Sequence, residues 1–276
     1  MTTESFGGTA TSAQIELKNR LREFWNKQEV YWDIASSEAS VSSPARARAL
    51  NFVPDGGLVL DVACGSGANV QFLQTRCRYV GVDIAMSGLR RAAQDSRSVV
   101  CADIEAAPFP SGVFDAVIAT YVLEHSTQPR RFLSELARIT RSHGRIVLLG
   151  PAWDFPFWYP NSLRSKAYSA GWRLSYATRR TLGQFSGWMF RQYPFQAVTD
   201  PDALHSEFLY DADVVYIVWT YEVIRWMQQL GAKLIHWEVD DQLLGRHSVV
   251  RSFKKFLMRF SAYEHAGSTV LLVFER

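Results

Sequence analysis

Leu58-Val-Leu-Asp-Val-Ala-Cys-Gly-Ser-Gly67 is the stretch that decides the fold, because an apolar run leads directly into a glycine turn. Four of the five residues from 58 to 62 are apolar, which predicts a buried parallel strand. Gly65 and Gly67 allow a sharp turn and a close approach of the backbone to a ligand. A helix predicted over residues 68–75 would point free N–H groups at a carboxylate or phosphate. The arrangement is typical of a site for a nucleotide-type cofactor.

Two positions around the glycines argue against a dinucleotide. A dinucleotide fingerprint has a third glycine three residues after the second, where this chain has Val70. Asp61 lies inside the strand, and its carboxylate would repel a pyrophosphate but suits an ammonium group or its bound water. A cofactor that ends in an amino acid fits better. On Asp61-Val-Ala-Cys-Gly-Ser-Gly67 the chain resembles the small-molecule class I S-adenosylmethionine-dependent methyltransferases, whose first motif is Asp-x-x-x-Gly-x-Gly.

Further apolar segments predict the remaining parallel strands at residues 79–82, 98–102, 114–120 and 144–150. Asp83 follows the second strand, where an acid can accept hydrogen bonds from both ribose hydroxyls. In the resembled family, the residue at Asp103 accepts from the adenine amino group, and the amide of Ile104 reaches a ring nitrogen. The resemblance covers about residues 45–150. It implies S-adenosylmethionine as cofactor and S-adenosylhomocysteine as product.

The resemblance also implies the fold and the cofactor contacts. We expect an α/β fold, a Rossmann-like seven-stranded sheet with helices on both faces. Its last helix is predicted at 214–230, and its last two strands at 232–239 and 268–274. The predicted cofactor-binding residues are Asp61, Ala63, Cys64, Gly65, Ser66, Gly67, Asp83, Ile84, Met86, Asp103, Ile104, Thr120 and Tyr121.

Length and composition agree with one large α/β domain with insertions. The 276 residues are 47% hydrophobic, which indicates a normal packed core. A net charge of +3 is too small to indicate a nucleic-acid partner. The three cysteines suggest no disulfide framework, and the histidines show no metal-ligand spacing. Without a secretory signal or an apolar stretch of membrane length, the chain is expected to be soluble and cytoplasmic, with its oligomeric state open.

Four regions are predicted along the chain: a tail and helical lid (1–43), a cofactor-binding core (44–150), an aromatic-rich insertion (151–209) and the rest of the core (210–276). The first helix is predicted from Ser12, as its N-cap, to Glu29. Tyr31 and Trp32 follow it. Proteins resembling this one often fold such a helix over the cofactor, so these aromatic residues either form a lid or only anchor the helix to the core.

The insertion after the fifth strand holds 14 aromatic residues in 59, about twice the 13% of the whole chain. It leaves the edge of the sheet where ligands bind in open α/β folds, so we expect a substrate cap. A structural subdomain or a dimer surface would use aromatic residues equally well. Trp153, Trp158 and Tyr159, together with Tyr31 and Trp32, are the predicted acceptor-binding residues.

Residues 248–262 predict a basic amphipathic helix between the last two strands. Its apolar stripe is Val249, Val250, Phe253, Phe256, Leu257 and Phe260. A helix of this kind can lie on an anionic membrane. More often such a stripe docks on its own domain, and we favour that interpretation.

The chemistry follows from the implied cofactor, whose methyl group is already activated. His125, after the fourth strand, is the predicted catalytic base, although a histidine that only packs against the sheet is an alternative. Alignment of the reactants can also suffice without a base. The preferred function is O-methylation of a small organic or lipid-like acceptor in secondary-metabolite, sugar or lipid biosynthesis. The alternatives are a nucleic-acid methyltransferase and a cofactor-binding protein of this fold with a non-methyltransferase role.

Overall fold

The computed structural model describes residues 10–27, 29–35, 43–95, 98–154, 169–190, 196–197, 204, 213–240, 248–260 and 269–276. The described helices are α1 (Ser12–Lys27), α2 (Glu29–Ala35), α3 (Pro44–Leu50), α4 (Val70–Leu73), α5 (Met86–Ala92), α6 (Pro129–Ile139), α7 (Ala170–Phe190), α8 (Thr220–Gln229) and α9 (Ser248–Leu257). The main sheet contains β1 (Leu58–Val62), β2 (Arg78–Asp83), β3 (Val99–Cys101), β4 (Phe114–Thr120), β5 (Thr140–Pro151), β6 (Lys233–Asp240) and β7 (Thr269–Glu275). Short 3₁₀ turns cover Ile104–Ala106 and Leu123–His125.

The seven strands have the order β3-β2-β1-β4-β5-β7-β6. The first five are parallel, and β7 runs antiparallel between β5 and β6. Going outward from the centre, chain order reverses between β1 and β4. In open α/β sheets, ligands bind in the crevice at the carboxyl ends of the strands at such a reversal. The predicted Rossmann-like sheet is confirmed, and its topology puts the ends of β1 and β4 at the centre of the candidate site.

The apolar strand residues form two layers of core, one on each face of the sheet. On one face, Leu60 and Val62 pack with residues of α6 and α8, such as Phe132 and Met227. On the other face, Val59 packs with Ala49 and the rest of α3. Both faces are buried because helices cover them, which explains why β4 is buried along its whole length.

Several element boundaries differ from the sequence-based expectation. The helix after the glycine turn covers only 70–73 rather than 68–75. β5 begins at Thr140 rather than 144, because Thr140 pairs with Phe114 and a register shift follows before Ala116. α8 begins at Thr220, because Tyr216–Ile217 forms a two-residue antiparallel ladder with Gln196–Ala197.

The predicted N-cap of α1 is wrong by one residue. Ser12 is the first helical residue, and Thr11 caps the helix. The Thr11 hydroxyl accepts from the backbone N–H of Gln14 at 3.3 Å, and the Gln14 side chain accepts from the backbone N–H of Thr11 at 2.9 Å. This reciprocal pair is a capping box, which satisfies two N–H groups instead of one.

The described part of the aromatic-rich insertion is mainly α7. Tyr176, Ala177, Arg180 and Gln184 form its buried side. The guanidinium of Arg180 lies over the ring of Trp219 at 5.4 Å, so this side packs against the segment that leads into α8. The predicted acceptor residues Trp158 and Tyr159 lie outside the described residues.

The expectation that α9 docks by its apolar stripe is wrong. Val249, Phe253, Phe256 and Phe260 are all exposed. Leu257, also a residue of the predicted stripe, and Lys254 are half-buried. No helix among the described ranges is long and apolar enough to cross a membrane.

Candidate cofactor and acceptor site

A cavity of about 520 Å³ lies at the carboxyl ends of β1 to β4, beneath α1 and α2. It brings together most of the residues predicted from the sequence. Among the predicted residues, its walls include Tyr31, Trp32, Ala63, Cys64, Gly65, Ser66, Asp83, Ile84, Asp103, Ile104, Thr120, Tyr121, His125 and Trp153. Separate strand ends and α2 supply these side chains, which explains how residues distant in sequence converge on one cavity.

Three predicted cofactor residues do not line this cavity. Met86, at the start of α5, is exposed, and Gly67 lies beyond the cavity wall. Asp61 is fully buried, where its carboxylate accepts from the side chains of Asn69 and Tyr79 at 2.9 Å each. Burial raises the pKa of Asp61 to about 6, although these hydrogen bonds oppose the rise. Asp61 therefore reaches the cavity through Asn69, which does line it.

The backbone at the ends of β1 and β4 takes left-handed conformations. Ala63 has φ of 54°, and Gly65 and Gly67 have φ of 52° and 89°. Tyr121, directly after β4, has φ of 53°. Left-handed conformations at non-glycine residues such as Ala63 and Tyr121 are costly, and they cluster at functional sites. Both of these residues line the cavity at the point where chain order reverses.

Asp83 joins the end of β2 to the glycine turn. One of its carboxylate oxygens accepts from the backbone N–H of Gly65 at 2.9 Å, and the other accepts from that of Ala85 at 2.7 Å. Burial raises the pKa of Asp83 to about 6, against the effect of these backbone hydrogen bonds. Each carboxylate oxygen has two lone pairs, so Asp83 can accept further hydrogen bonds from ligand hydroxyls.

Lys18 of α1 reaches across the cavity to the edge formed by β3. Its ammonium donates to Asp103 at 2.7 Å and also contacts Glu105. Glu105 accepts further hydrogen bonds from the Ser126 hydroxyl at 2.6 Å and the Thr127 backbone N–H at 2.8 Å. Burial alone would raise the pKa of Glu105, but Lys18, the Ser126 hydroxyl and the Gln128 backbone N–H outweigh it and lower the pKa. This ion pair ties α1 to the strand end where an adenine ring is expected.

Trp32 of α2 packs directly on the glycine turn. Its indole N–H donates to the Ser87 hydroxyl and to the backbone carbonyl of Trp25, each at 2.9 Å. A Cβ on Gly65 would lie 2.8 Å from the indole, and one on Gly88 would lie 2.7 Å from it. The two interpretations of Trp32 are therefore compatible, because the same side chain contacts the glycine turn and anchors the helix.

Tyr31 faces several carboxylates inside the cavity. Its ring makes an edge contact with Trp32, with 4.9 Å between the centroids. Burial raises the pKa of Tyr31 well above its usual value, and the negative charges of Asp213, Asp83 and Glu124 raise it further. The phenol therefore stays protonated and can donate a hydrogen bond.

Arg46 of α3 is a buried cation beside the glycine turn that the sequence analysis missed. Its guanidinium donates to Asn69 at 2.6 Å and reaches Thr120 at 3.3 Å. Burial lowers its pKa, whereas the nearby Asp61 carboxylate opposes that change. Arg46 lines the cavity, and a guanidinium in this position suits a ligand carboxylate.

His125 lines the cavity in a cluster with Trp25 and Asp213. Its Nδ1 is 3.0 Å from the backbone carbonyl oxygen of Asp213. A carbonyl oxygen can only accept, so this geometry requires a proton on Nδ1 and leaves the basic lone pair of a neutral ring on Nε2. The Trp25 indole N–H donates to the Asp213 carboxylate at 2.8 Å, and the indole ring makes an edge-on contact with the His125 ring. These two contacts hold Asp213 and His125 in place.

Residues 60–148 match the family model of the methyltransferase domain. A phosphatidylethanolamine N-methyltransferase of Cereibacter sphaeroides is 28% identical over 131 residues, which are 45% of this chain and 64% of the relative. A tRNA (carboxymethyluridine(34)-5-O)-methyltransferase of Arabidopsis thaliana is 30% identical over 116 residues, 41% of this chain and 28% of the relative. The chain thus spans less than two thirds of either relative.

A solved structure extends the similarity of fold to nearly the whole chain. The 1,6-didemethyltoxoflavin-N1-methyltransferase of Burkholderia thailandensis, with S-adenosylhomocysteine bound, superposes with a TM-score of 0.57. The match covers 98% of this chain and 92% of that protein at 13% identity, so it concerns the fold. Residues 60–148 are therefore a methyltransferase domain, and the sheet is that of the class I S-adenosylmethionine-dependent methyltransferases. S-adenosylmethionine is the cofactor of this class.

Proposed function

We propose that this protein transfers a methyl group from S-adenosylmethionine to a hydroxyl of a small organic or lipid-like acceptor. The observation that carries the proposal is that two chemically different sets of residues line one cavity. One set is the glycine turn with the carboxylates of Asp83 and Asp103, and the other includes Trp153 and His125. The first set suits an adenosine with an attached amino acid, and the second suits an acceptor.

The residues of the first set fit the parts of S-adenosylmethionine. Asp83 would accept from the ribose hydroxyls, and Asp103 would accept from the adenine amino group beside the Ile104 amide. Arg46 would hold the carboxylate of the methionine part. Its guanidinium is a buried cation that lines the cavity, and its contacts with Asn69 and Thr120 fix it there. The positive φ values of Ala63 and Gly65 let the backbone between them approach the ligand closely.

When bound, S-adenosylmethionine supplies a methyl group that its sulfonium already activates. The protein then has to align the acceptor oxygen, exclude water and accept the hydroxyl proton. Tyr31 and Trp32 would exclude water, since α2 lies over the glycine turn. Nε2 of His125 would take the proton, because Nδ1 is committed to the Asp213 carbonyl. Trp153, buried next to β5, would wall the acceptor.

A nucleic-acid acceptor is the second candidate, and the similarity to a tRNA methyltransferase favours it. The charges of the cavity argue against it. The described lining contains two basic residues, Lys18 and Arg46. It also contains five acidic residues: Asp83, Asp103, Glu105, Glu124 and Asp213. A phosphate backbone is bound by basic surfaces, so a site with this balance suits a small acceptor better.

Isothermal titration of the purified protein with S-adenosylmethionine and S-adenosylhomocysteine tests the cofactor. We expect both to bind in the micromolar range. An acceptor screen that measures S-adenosylhomocysteine release, with alcohols, phenols, sugars, lipids and tRNA as acceptors, then tests the reaction. Binding of neither compound would refute the methyltransferase proposal. Tight binding without turnover of any acceptor would favour a cofactor-binding role, and salt-dependent turnover of tRNA would favour the second candidate.

A further inference from the structure

The outer face of α9 is unusually apolar for an exposed helix face. No other described residue covers it. Val249, Phe253 and Phe256 lie on α9 at helical spacings of four and three residues, so they form one stripe, and Phe260 follows in the turn after the helix. Their exposed fractions are 79%, 58%, 50% and 52%. Three exposed phenylalanines in one stripe are a large apolar area to leave in water, which points to an interaction surface.

The charged residues of the same segment all have one sign. Residues 248–260 contain Arg251, Lys254, Lys255 and Arg259 and no Asp or Glu, which gives a local charge of +4. The whole chain has a net charge of only +3. The positive charge is therefore concentrated on the helix that also exposes the apolar stripe.

We propose that α9 docks on an anionic lipid surface. A helix with phenylalanines on one face and only basic charges on the rest can bury the apolar face at the acyl boundary while its cations meet lipid phosphates. Lys254 and Met258, which lie away from the four exposed residues, are half-buried, so the stripe is the side of this segment that faces outward. The proposal concerns only this surface and holds whether or not the cavity methylates a lipid.

Co-sedimentation of the full chain with vesicles tests this docking. The vesicles consist of phosphatidylcholine alone or of phosphatidylcholine with phosphatidylglycerol. We expect strong binding only when phosphatidylglycerol is present, and weaker binding at high salt, because salt screens the charges. No binding to either vesicle, or equal binding to both, would overturn the proposal.

Two variants and two matched controls separate the roles of the stripe and the charges. We expect the double variant Phe253→Ser/Phe256→Ser and the double variant Lys255→Glu/Arg259→Glu each to lose at least about tenfold in vesicle affinity. Ile15→Ser on α1 and Arg90→Glu on α5 change an exposed apolar and an exposed basic residue elsewhere, and we expect both to bind like the wild type. All of these positions are exposed, so we expect each variant to have the melting temperature of the wild type.

The competing occupant of the stripe is a second copy of the chain. Light scattering of the wild type and of Phe253→Ser/Phe256→Ser distinguishes it. If the wild type is a dimer that this variant dissociates, and the wild type does not bind vesicles, the stripe is a protein interface and the lipid proposal is refuted. Wild-type affinity for anionic vesicles in either double variant would equally refute the proposal.

Discussion

The indole of Trp32 occupies the space that a side chain at position 65 would need. A Cβ on Gly65 would lie 2.8 Å from Cζ3 of Trp32, closer than such atoms approach in proteins. Two hydrogen bonds from the indole N–H, to Ser87 and to the Trp25 carbonyl, hold the ring there. The glycine turn and α2 are therefore coupled through this contact.

Gly65→Ala should disturb both the turn and the helix above it. The φ of +52° is unfavourable for alanine, and the new methyl group would push the indole away. We expect a loss of about 1–3 kcal/mol in the free energy of unfolding and weaker binding of S-adenosylmethionine. Chemical denaturation and titration calorimetry measure these two effects.

Gly183→Ala is the matched control, because it lies inside α7 with nothing within 4 Å of the added methyl group. Alanine is a better helix former there by up to about 1 kcal/mol, so this variant should be as stable as the wild type or more so. If Gly65→Ala behaved in the same way, the coupling through Trp32 would be refuted.

Asp83→Asn should weaken cofactor binding. The loss of charge-assisted hydrogen bonds to the ribose corresponds to about 1.5–3 kcal/mol in the free energy of binding. Burial raises the pKa of Asp83 to about 6, so the wild type should also lose affinity as the pH falls through about 6 and the carboxylate takes up a proton. Titration calorimetry at several pH values from about 5 to about 8 measures both effects.

The control for Asp83→Asn is Asp240→Asn, at the end of β6 and outside the cavity lining. Its cofactor affinity should match that of the wild type at each pH. Because Asp61 also has a pKa of about 6, part of the pH dependence should persist in Asp83→Asn. Unchanged affinity at neutral pH in Asp83→Asn would mean that the ribose lies elsewhere.

Lys18→Met should destabilise the protein most strongly at neutral pH. The substitution leaves the buried Glu105 carboxylate without its cationic partner, and we expect a loss of about 1–3 kcal/mol in the free energy of unfolding. Lys18 and the hydrogen-bond donors hold the native pKa of Glu105 below its ordinary value, so the contribution is present above that ordinary value and is lost as the pH falls through the native pKa. The difference between wild type and variant should shrink in acid.

Urea denaturation at several pH values tests this expectation, with Lys27→Met as the control. Lys27 also contacts a glutamate, Glu23, but both side chains are mostly exposed. Such surface pairs contribute about 0–1 kcal/mol, so the control should change stability little. A Lys18→Met variant as stable as Lys27→Met would show that α1 does not depend on this ion pair.

His125→Gln should lower kcat without weakening the binding of S-adenosylmethionine. Loss of a general base typically costs about 10²–10⁴ in rate. Glutamine can still donate to the Asp213 carbonyl, so the local packing should persist. Steady-state kinetics with an acceptor from the screen measures kcat, and calorimetry measures the cofactor affinity. The control is His236→Gln on β6, which lies outside the cavity lining. Equal kcat values in the two variants would show that His125 is not the base and that solvent accepts the proton.

The sheet could be predicted from the sequence because its strands carry strong local signals. Strands buried on both faces are continuous apolar runs, and β1 and β4 were predicted with their observed bounds. The start of β5 was missed, because Thr140 to His143 contains polar residues that join the sheet by pairing with neighbours rather than by an apolar pattern.

The missed site residues come from elements that pack across the sheet edge. Lys18 is one turn from the buried Leu21, and Arg46 is one turn from the buried Leu50. A polar residue on an apolar helix face was a signal that could have marked both of them. Asp213 has no such signal, because it lies 88 residues after His125 and only the tertiary fold brings them together.

The outward stripe of α9 shows a similar limit. Its spacing predicted an amphipathic helix, but a sequence pattern cannot say whether an apolar face is covered. Only the exposed fractions of Phe253 and Phe256 distinguish the two interpretations. The expectation that the stripe packs on the same domain, the common outcome for soluble proteins, is therefore wrong for Phe253 and Phe256.

The contacts of α1 and α2 over the cavity have a kinetic consequence. Release of a used cofactor past α1 and α2 would require Lys18 to release Asp103 and Trp32 to leave the glycine turn, so a catalytic cycle by this route would include an opening step. The rate of that opening sets an upper limit on turnover, whatever the speed of the methyl transfer. Weakening the contacts of Lys18 and Trp32 would then speed up product release while it lowers the affinity for the cofactor. The fastest variant of this protein need not be the one that binds its cofactor most tightly.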